Sequence, residues 1–191
     1  MGMSTVVGSV PKRELWTVDD VWALPSRAGY RYEVLHGELL LTALPTVPHQ
    51  RAAVNVVWLL ESWARVRQGF TVLAPGGVYV SQTTWLEPDV AMYPVSRDST
   101  ETDHRRLPPP VLVVEVLSPS TRTRDRHHKR PAYLANGVGE VWVVDHERRQ
   151  VERWTAASEF PVVVTDRIEW SSSAGVEPLV FELTELFGVA G

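Results

Sequence analysis

The sequence predicts an α/β or α+β domain built on a mixed β-sheet, and three observations carry that expectation. Short valine-rich runs, above all residues 111–117 (VLVVEVL) and 140–145 (EVWVVD), have the length and β-branched content of strands. The first is apolar on both faces, as a strand in the middle of a covered sheet is. Two longer segments, 49 to about 67 and 118–136, fall between such runs and carry helix start and stop signals.

Residues 1–13 show no periodic pattern and are expected to form a flexible tail ahead of one domain over 14–191. Thr17, followed by Asp19 and Asp20, has the form of an N-cap with acids in the first turn, opening a short helix that stops before Pro25. Residues 32–41 (YEVLHGELLL) read as two strands turning at His36-Gly37. Pro48-His49 opens a helix whose apolar positions Val54, Val57, Trp58, Leu60 and Trp63 recur at near-helical spacing, and Gly69 ends it. Trp58 and Trp63 do not share a helical face, so one of them is expected at the surface, marking a subunit interface. Strands follow at 71–74 and 78–80 around Pro75-Gly76-Gly77, then a strand that holds Asp89 and ends at Tyr93-Pro94. A polar, proline-ended loop (96–110) leads to the 111–117 strand. Ser118-Pro119-Ser120-Thr121 turns the chain into the second long helix, where Pro131 should kink the helix or displace its start. Residues 140–145 and 150–154 form a hairpin with Asp145 at its turn, and 161–164, 167–170 and 179–186 add edge strands and a last short helix.

The bulk composition excludes several classes. A chain of 191 residues, 44% hydrophobic and 22% charged, is long and apolar enough to bury a full core. No apolar run approaches the ~20 residues that span a bilayer, and the first residues lack the apolar stretch of a signal peptide, so a cytoplasmic protein without a membrane partner is expected. The absence of cysteine excludes disulfides, thiolate chemistry and a cysteine-based zinc site. A net charge of −4 argues against nonspecific coating of nucleic acid. Within 121–130, however, five Lys/Arg stand against one Asp. That run is either a solvated helix face or a surface that meets phosphates, with Arg122, Arg124 and Arg126 as the contacts.

Two acids in apolar surroundings point to chemistry. Glu115 lies inside VLVVEVL, and Asp89 follows Pro88 at the head of VAM. A lone buried carboxylate is costly or takes up a proton, so two of them with a nearby cation suggest one shared site for a divalent metal ion. Mg²⁺ or Mn²⁺ takes oxygen ligands and keeps several waters, so two carboxylates and a backbone carbonyl suffice. Such an ion polarises a phosphate and acidifies a water, which is what phosphodiester hydrolysis requires. Two acids this close should titrate differently, with at least one pKa raised. Lys129 can offset negative charge in the transition state, and Asp125, Lys129 and Tyr133 recur along one helix face. Only two of the 19 cationic residues are lysines, so a lysine where arginine is the default favours a role for Lys129. Each residue also has a plainer reading. Asp89 caps a strand, Glu115 pairs with Arg122, Lys129 is an exposed helix lysine, Glu33 sits on a hairpin surface, and His49 is a helix-terminus residue.

In their order and spacing, several motifs together resemble the bacterial Uma2 family over about residues 15–188. They are Tyr32-Glu33…Gly37-Glu38, Pro48-His49-Gln50, Pro88-Asp89-Val90, Val114-Glu115-Val116-Leu117-Ser118-Pro119-Ser120, and Asp125…Lys129…Tyr133…Gly137-Val138 leading into EVWVVD. That family is similar in fold to the PD-(D/E)XK nuclease superfamily. The resemblance implies a restriction-endonuclease-like mixed β-sheet flanked by helices, with additional hairpins. It implies Asp89 and Glu115 as catalytic metal ligands, the Val116 carbonyl as a third ligand, and Glu33 as an extra acid on the metal. The superfamily's lysine, two residues past the second acid, is Leu117 here, and the resemblance implies Lys129 on the next helix in its place. His49, Asp125 and Tyr133 then take supporting positions.

The leading reading is a Mg²⁺- or Mn²⁺-dependent endonuclease that cuts DNA by metal-activated water, acting as a homodimer because a duplex needs one site per strand. The alternative is a non-catalytic nuclease-fold dimer that binds DNA or a protein partner, which Leu117 and the net negative charge favour. A third reading is a metal-dependent hydrolase of another phosphoester. No phosphate-cradling Gly-rich loop, Ser-His-Asp context or dinucleotide fingerprint supports a kinase, an esterase or a dehydrogenase.

Overall fold

The computed structural model describes residues 13–188, so the tail expected over 1–13 lies outside the described residues except for Arg13. Helix α1 (Val18–Trp22) starts at Thr17, whose hydroxyl accepts the Asp20 N–H at 3.2 Å while the Asp20 carboxylate accepts the Thr17 N–H at 3.0 Å. Strands β1 (Tyr30–Leu35) and β2 (Glu38–Ala43) form the expected hairpin, with both turn residues, His36 and Gly37, in the left-handed region at φ 51° and 84°. At Gly37 the positive φ is what favours glycine, since the Leu15 Cδ1 that a Cβ would meet is the tip of an exposed side chain free to shift. Helix α2 (Val47–Arg65) has Pro48 in its first turn and buries Ala52, Val56, Leu59, Leu60, Trp63 and Ala64 along one stripe. Trp63 packs on Phe70 and Trp170 at centroid distances of 5.2 and 5.4 Å, whereas Trp58 is 61% exposed. The two tryptophans separate as their spacing predicts.

Next come β3 (Thr71–Leu73), β4 (Val78–Ser81), β5 (Thr84–Leu86), β6 (Val90–Tyr93) and β7 (Leu112–Val116). The chain then runs through α3 (Arg122–Arg124), a π-helical turn (Asp125–Lys129) and α4 (Arg130–Ala135). The C-terminal elements are β8 (Glu140–Asp145), β9 (Gln150–Trp154), β10 (Val162–Val164), β11 (Arg167–Trp170), β12 (Leu179–Glu182) and α5 (Leu183–Phe187). A six-stranded mixed sheet has the order β10-β9-β8-β7-β6-β3, with β7 and β8 parallel and the other pairs antiparallel. The helical segment after β7 is the crossover that a parallel pair demands. A second sheet, β2-β1-β5-β4, and a β11-β12 ribbon complete the fold.

Both faces of the large sheet are covered, which is why its central strands read as unbroken apolar runs. Val90, Met92, Leu112, Val114, Val116, Trp142 and Val144 face α2 and the C-terminal ribbon. Ala91, Val113, Val141 and Val143 face Leu117, Ala132 and Tyr133 and the β1-β2 hairpin residues Leu35 and Leu40. No helix among the described residues is long and apolar enough to cross a membrane.

Two sequence expectations change here. The segment around Asp89 is not one strand but two, β5 in the small sheet and β6 in the large one. Pro88 has no N–H for a ladder and restricts Glu87, so the chain bends between the sheets at Glu87-Pro88-Asp89. The second long helix is likewise divided. Pro131 cannot donate to the carbonyl four residues back, and the helix answers by widening, with the Arg130 N–H reaching Asp125 O five residues back.

Candidate active site

The bend at Pro88 positions the first acid. Val90 pairs with Val114 across β6 and β7, so one step further along this register sets Asp89 opposite Glu115, on the same face. Asp89 Oδ2 accepts the Val116 N–H at 2.8 Å and His49 Nε2 at 3.2 Å, while Oδ1 lies 3.6 Å from Arg31 Nη2. His49 reaches this point from the first turn of α2, and its buried ring stands edge-on to His146 at 6.4 Å.

The π turn positions the cation. Lys129 is fully buried, its Nζ 2.7 Å from Glu33 Oε1, 3.3 Å from Glu115 Oε1 and 3.8 Å from Asp125 Oδ1. Tyr133, one turn on, donates its hydroxyl to Glu115 Oε1 at 2.8 Å. Glu33 is sealed from the other side, accepting the Glu87 N–H at 2.8 Å and the Thr42 hydroxyl at 3.1 Å. A π turn in a helix often marks a functional position, and this one carries the two ionisable side chains that enter the cluster.

Charge sets the character of the cluster. Four carboxyl groups, Glu33, Asp89, Glu115 and Asp125, face two permanent cations, Arg31 and Lys129. Burial pushes Glu115 up to about 8; Lys129 opposes this, and the neighbouring Asp125, Asp89 and Glu33 add to it. Burial likewise raises Asp125 despite Lys129 and its hydrogen bond with Thr121. Burial also works against the charge of Glu33 and Asp89, but the partners win. Lys129 and the Glu87 N–H hold Glu33 below its ordinary value, and His49 and the Val116 N–H do so for Asp89. Burial opposes the charge of Lys129, yet Glu115, Glu33 and Asp125 hold it protonated well beyond the usual lysine range. One of the two paired acids is therefore raised and the other lowered, as expected for carboxylates sharing a site.

This arrangement suits a divalent cation. Asp89, Glu115, Asp125, Lys129, His49, Arg31 and Thr42 line a cavity of about 270 Å³. Asp125 Oδ1 is buried there without a hydrogen-bond partner, and the four carboxyl groups outnumber the two fixed cations. Among the described residues no three His, Asp or Glu side chains converge as a complete metal shell. Two carboxylates plus the Val116 carbonyl and waters suffice for a hard ion.

Placed in the structure, the sequence-derived candidates divide. Asp89, Glu115, Lys129, Asp125, Tyr133 and His49 come together. Glu33 is fully buried rather than on a hairpin surface, and both its oxygens are occupied by protein donors. Arg122 does not pair with Glu115 but with Glu147 at 2.8 Å, and Arg126 grips Glu152 at 2.6 and 3.0 Å. These pairings draw two of the three expected phosphate contacts back onto the protein, because β8, β9 and the turn between them present acids at 145, 152 and 147. Arg124 donates to Thr42 at 3.2 Å. Among the cavity residues that escaped the sequence reading are Arg31 and Thr42, cross-strand partners on the hairpin. Their signal was faint: Arg31 and Glu33 alternate along β1, so burial of one implies that the other shares its face.

Stability should record these opposed shifts. Glu33 and Asp89, lowered in the folded state, contribute stability that is complete above their ordinary 4.5 and 3.8 and is lost in acid. Glu115, raised, contributes stability that is complete below 4.5 and is lost as pH climbs to about 8. Metal-free protein should therefore be most stable near pH ~5 and weaken toward pH ~8. Urea titrations across this range check it. Glu115→Gln should flatten the alkaline limb, and an unchanged limb would remove Glu115 as its source.

The comparisons agree with this architecture. Over residues 18–181 the sequence matches the model of the Uma2 family, described as "Putative restriction endonuclease". None of the curated proteins matches the chain. Among solved structures the fold is similar to that of a protein from Anabaena variabilis described as "a putative nuclease belonging to DUF820". The TM-score is 0.71 at 15% identity, covering 90% of this chain and 97% of that one. With the mixed sheet and with acids just before β6 and within β7, a family match over most of the chain places this protein in the Uma2 family.

Proposed function

We propose that the protein is a Mg²⁺- or Mn²⁺-dependent endonuclease that hydrolyses DNA phosphodiester bonds. The observation that carries this reading is the meeting of Asp89, Glu115 and Lys129 in one acid-rich cavity at the end of β7. Asp89 and Glu115, with the Val116 carbonyl, would hold the ion. When bound, it supplies Lewis acidity for the phosphate and lowers the pKa of a water.

The other residues prepare this pair. His49 and the Val116 N–H fix the Asp89 carboxylate through Oδ2, and Oδ1 has only the 3.6 Å approach of Arg31 Nη2. Tyr133 and Lys129 hold Glu115 through Oε1. Glu33 anchors Lys129, so its work is to place the ammonium rather than to bind the ion. Lys129 offsets the negative charge that grows on the phosphoryl oxygens as the bond to water forms. A homodimer follows from the substrate, since two antiparallel strands call for two sites related by a two-fold axis. The exposed Trp58 with Val54 and Val47 on α2 offers an apolar face for it.

The test is incubation of supercoiled plasmid with purified protein in Mg²⁺, Mn²⁺ or EDTA. Nicking or linearisation is expected with either ion and none with EDTA. Binding of DNA without cleavage in any divalent ion would favour the non-catalytic nuclease-fold dimer, the reading that Leu117 in place of the motif lysine supports.

A further inference from the structure

We infer that Arg31 is the anion-binding half of this cavity, its guanidinium taking a phosphate oxygen of the nucleic-acid backbone that the carboxylates engage from the other side. The inference rests on the nuclease reading and names a residue that neither the acidic motif nor the arginine-rich helix contains. Arg31 and Glu33 alternate on β1, and both side chains turn toward the site. Glu33 is closed off by Lys129, Thr42 and Glu87, whereas Arg31 is left open. Its nearest acid oxygen, Asp89 Oδ1, is 3.6 Å away, beyond a hydrogen bond, and its buried Nε has no partner among the described residues.

An unpartnered buried Nε alone does not set Arg31 apart, since Arg122 and Arg124 have one too; the contrast lies with two arginines that close on a carboxylate. Arg126 takes Glu152 at 2.6 and 3.0 Å, and Arg153 takes Glu140 at 2.6 Å. Each saturates its fork on a carboxylate, which is how a stabilising arginine offsets its desolvation. Arg31 has acids around it but closes on none of them, because Asp89 is already drawn to His49 and the Val116 N–H. A guanidinium four-fifths buried in a cavity with unspent donors is matched to a planar or tetrahedral oxyanion from outside the chain. The carboxylates cannot bind that anion directly, so cation and anion sites lie side by side, the pairing that a phosphodiester bound to a divalent ion requires.

The experiment compares wild type, Arg31→Gln and Arg31→Lys. Binding to a fluorescent mixed-sequence DNA duplex is followed by anisotropy in Ca²⁺ over a KCl series, and Mn²⁺ binding without DNA by calorimetry. Arg31→Gln should weaken DNA binding about tenfold and make the log K against log salt slope shallower by about 0.9, the loss of one phosphate contact. Its Mn²⁺ affinity should hold or rise, since a cation beside the carboxylates has gone. Arg31→Lys should restore the slope while binding less tightly, lacking the two-pronged fork. An Arg31 that merely steadies Asp89 predicts the reverse, weaker Mn²⁺ binding with an unchanged slope, and that result overturns the inference. An unchanged slope in Arg31→Gln, with a wild type that binds Mn²⁺ and cuts plasmid, overturns it while leaving the nuclease reading intact. A wild type that binds neither Mn²⁺ nor DNA takes both down together.

Discussion

Lys129→Ala is expected to lower folding stability by about 3–5 kcal/mol at pH ~8 in metal-free buffer, the cost of stranding buried charges by removing their partner. Lys129 is 2% exposed, and its ammonium is the shared counter-ion of Glu33, Glu115 and Asp125. Without it, Glu33 retains the Glu87 N–H and the Thr42 hydroxyl and Glu115 the Tyr133 hydroxyl, but Asp125 Oδ1 has no partner and both Glu115 and Asp125 lose their nearby cation. Protonation is the escape, and Glu115 already favours it up to about 8. The loss should therefore shrink as pH falls toward ~5, where the stranded acids are neutral. Lys129→Met combined with Glu33→Gln removes one charge of each sign, fills the space, and should recover part of the loss. Urea unfolding at both pH values measures all of this. A loss below ~1 kcal/mol at both would mean that the acids do not depend on this lysine. The consequence for catalysis is practical, because a dead Lys129→Ala variant would report on folding as much as on chemistry.

Much of this arrangement was legible in the sequence, for reasons that differ by element. Hairpin β1-β2, helix α2 and the β8-β9 pair follow from local signals that tertiary contacts do not oppose. These are the His36-Gly37 turn, Pro48 in a first turn, and a valine-rich apolar run ending at Asp145. Glu115 betrayed itself as a charge inside a run apolar on both faces. The break at Pro88 was less visible, because the apolar pattern runs on through Trp85-Leu86 to Val90 while the chain changes sheets. What was hidden was pairing over long sequence distances. Glu33 reads as an ordinary hairpin acid until Lys129, 96 residues later in the chain, is brought to 2.7 Å. Arg122 and Arg126 look like free cations until the β8-β9 hairpin and its turn set acids beside them. Charge density along the chain does not reveal which cations are already spent, and that is why Arg31, alone between Tyr30 and Tyr32, carries more meaning in three dimensions than the arginine-rich helix.

Asp89→Asn and Glu115→Gln should each reduce plasmid cleavage by ~10²-fold or more while leaving the fold in place. The isosteric changes matter, because both carboxylates also accept structural hydrogen bonds. In Asp89→Asn the amide oxygen can still accept from the Val116 N–H and His49, the contacts that seat Asp89 at 2.8 and 3.2 Å. Glu115→Gln reproduces the neutral side chain that the metal-free site prefers, still accepting from Tyr133 and Lys129 through one oxygen. Thermal unfolding in EDTA should therefore show Glu115→Gln no less stable than wild type at pH ~7.5, below the point where its acid ionises. What each substitution removes is the negative charge that a divalent cation needs, so Mn²⁺ affinity should fall in parallel with cleavage. The two variants together should be no worse than the more damaging of them, since both act through one ion. Full cleavage in Asp89→Asn, with the wild-type ion requirement intact, would place the chemistry elsewhere in the molecule. Lost cleavage with unchanged Mn²⁺ binding would leave Asp89 at the site but strip it of its role as a ligand.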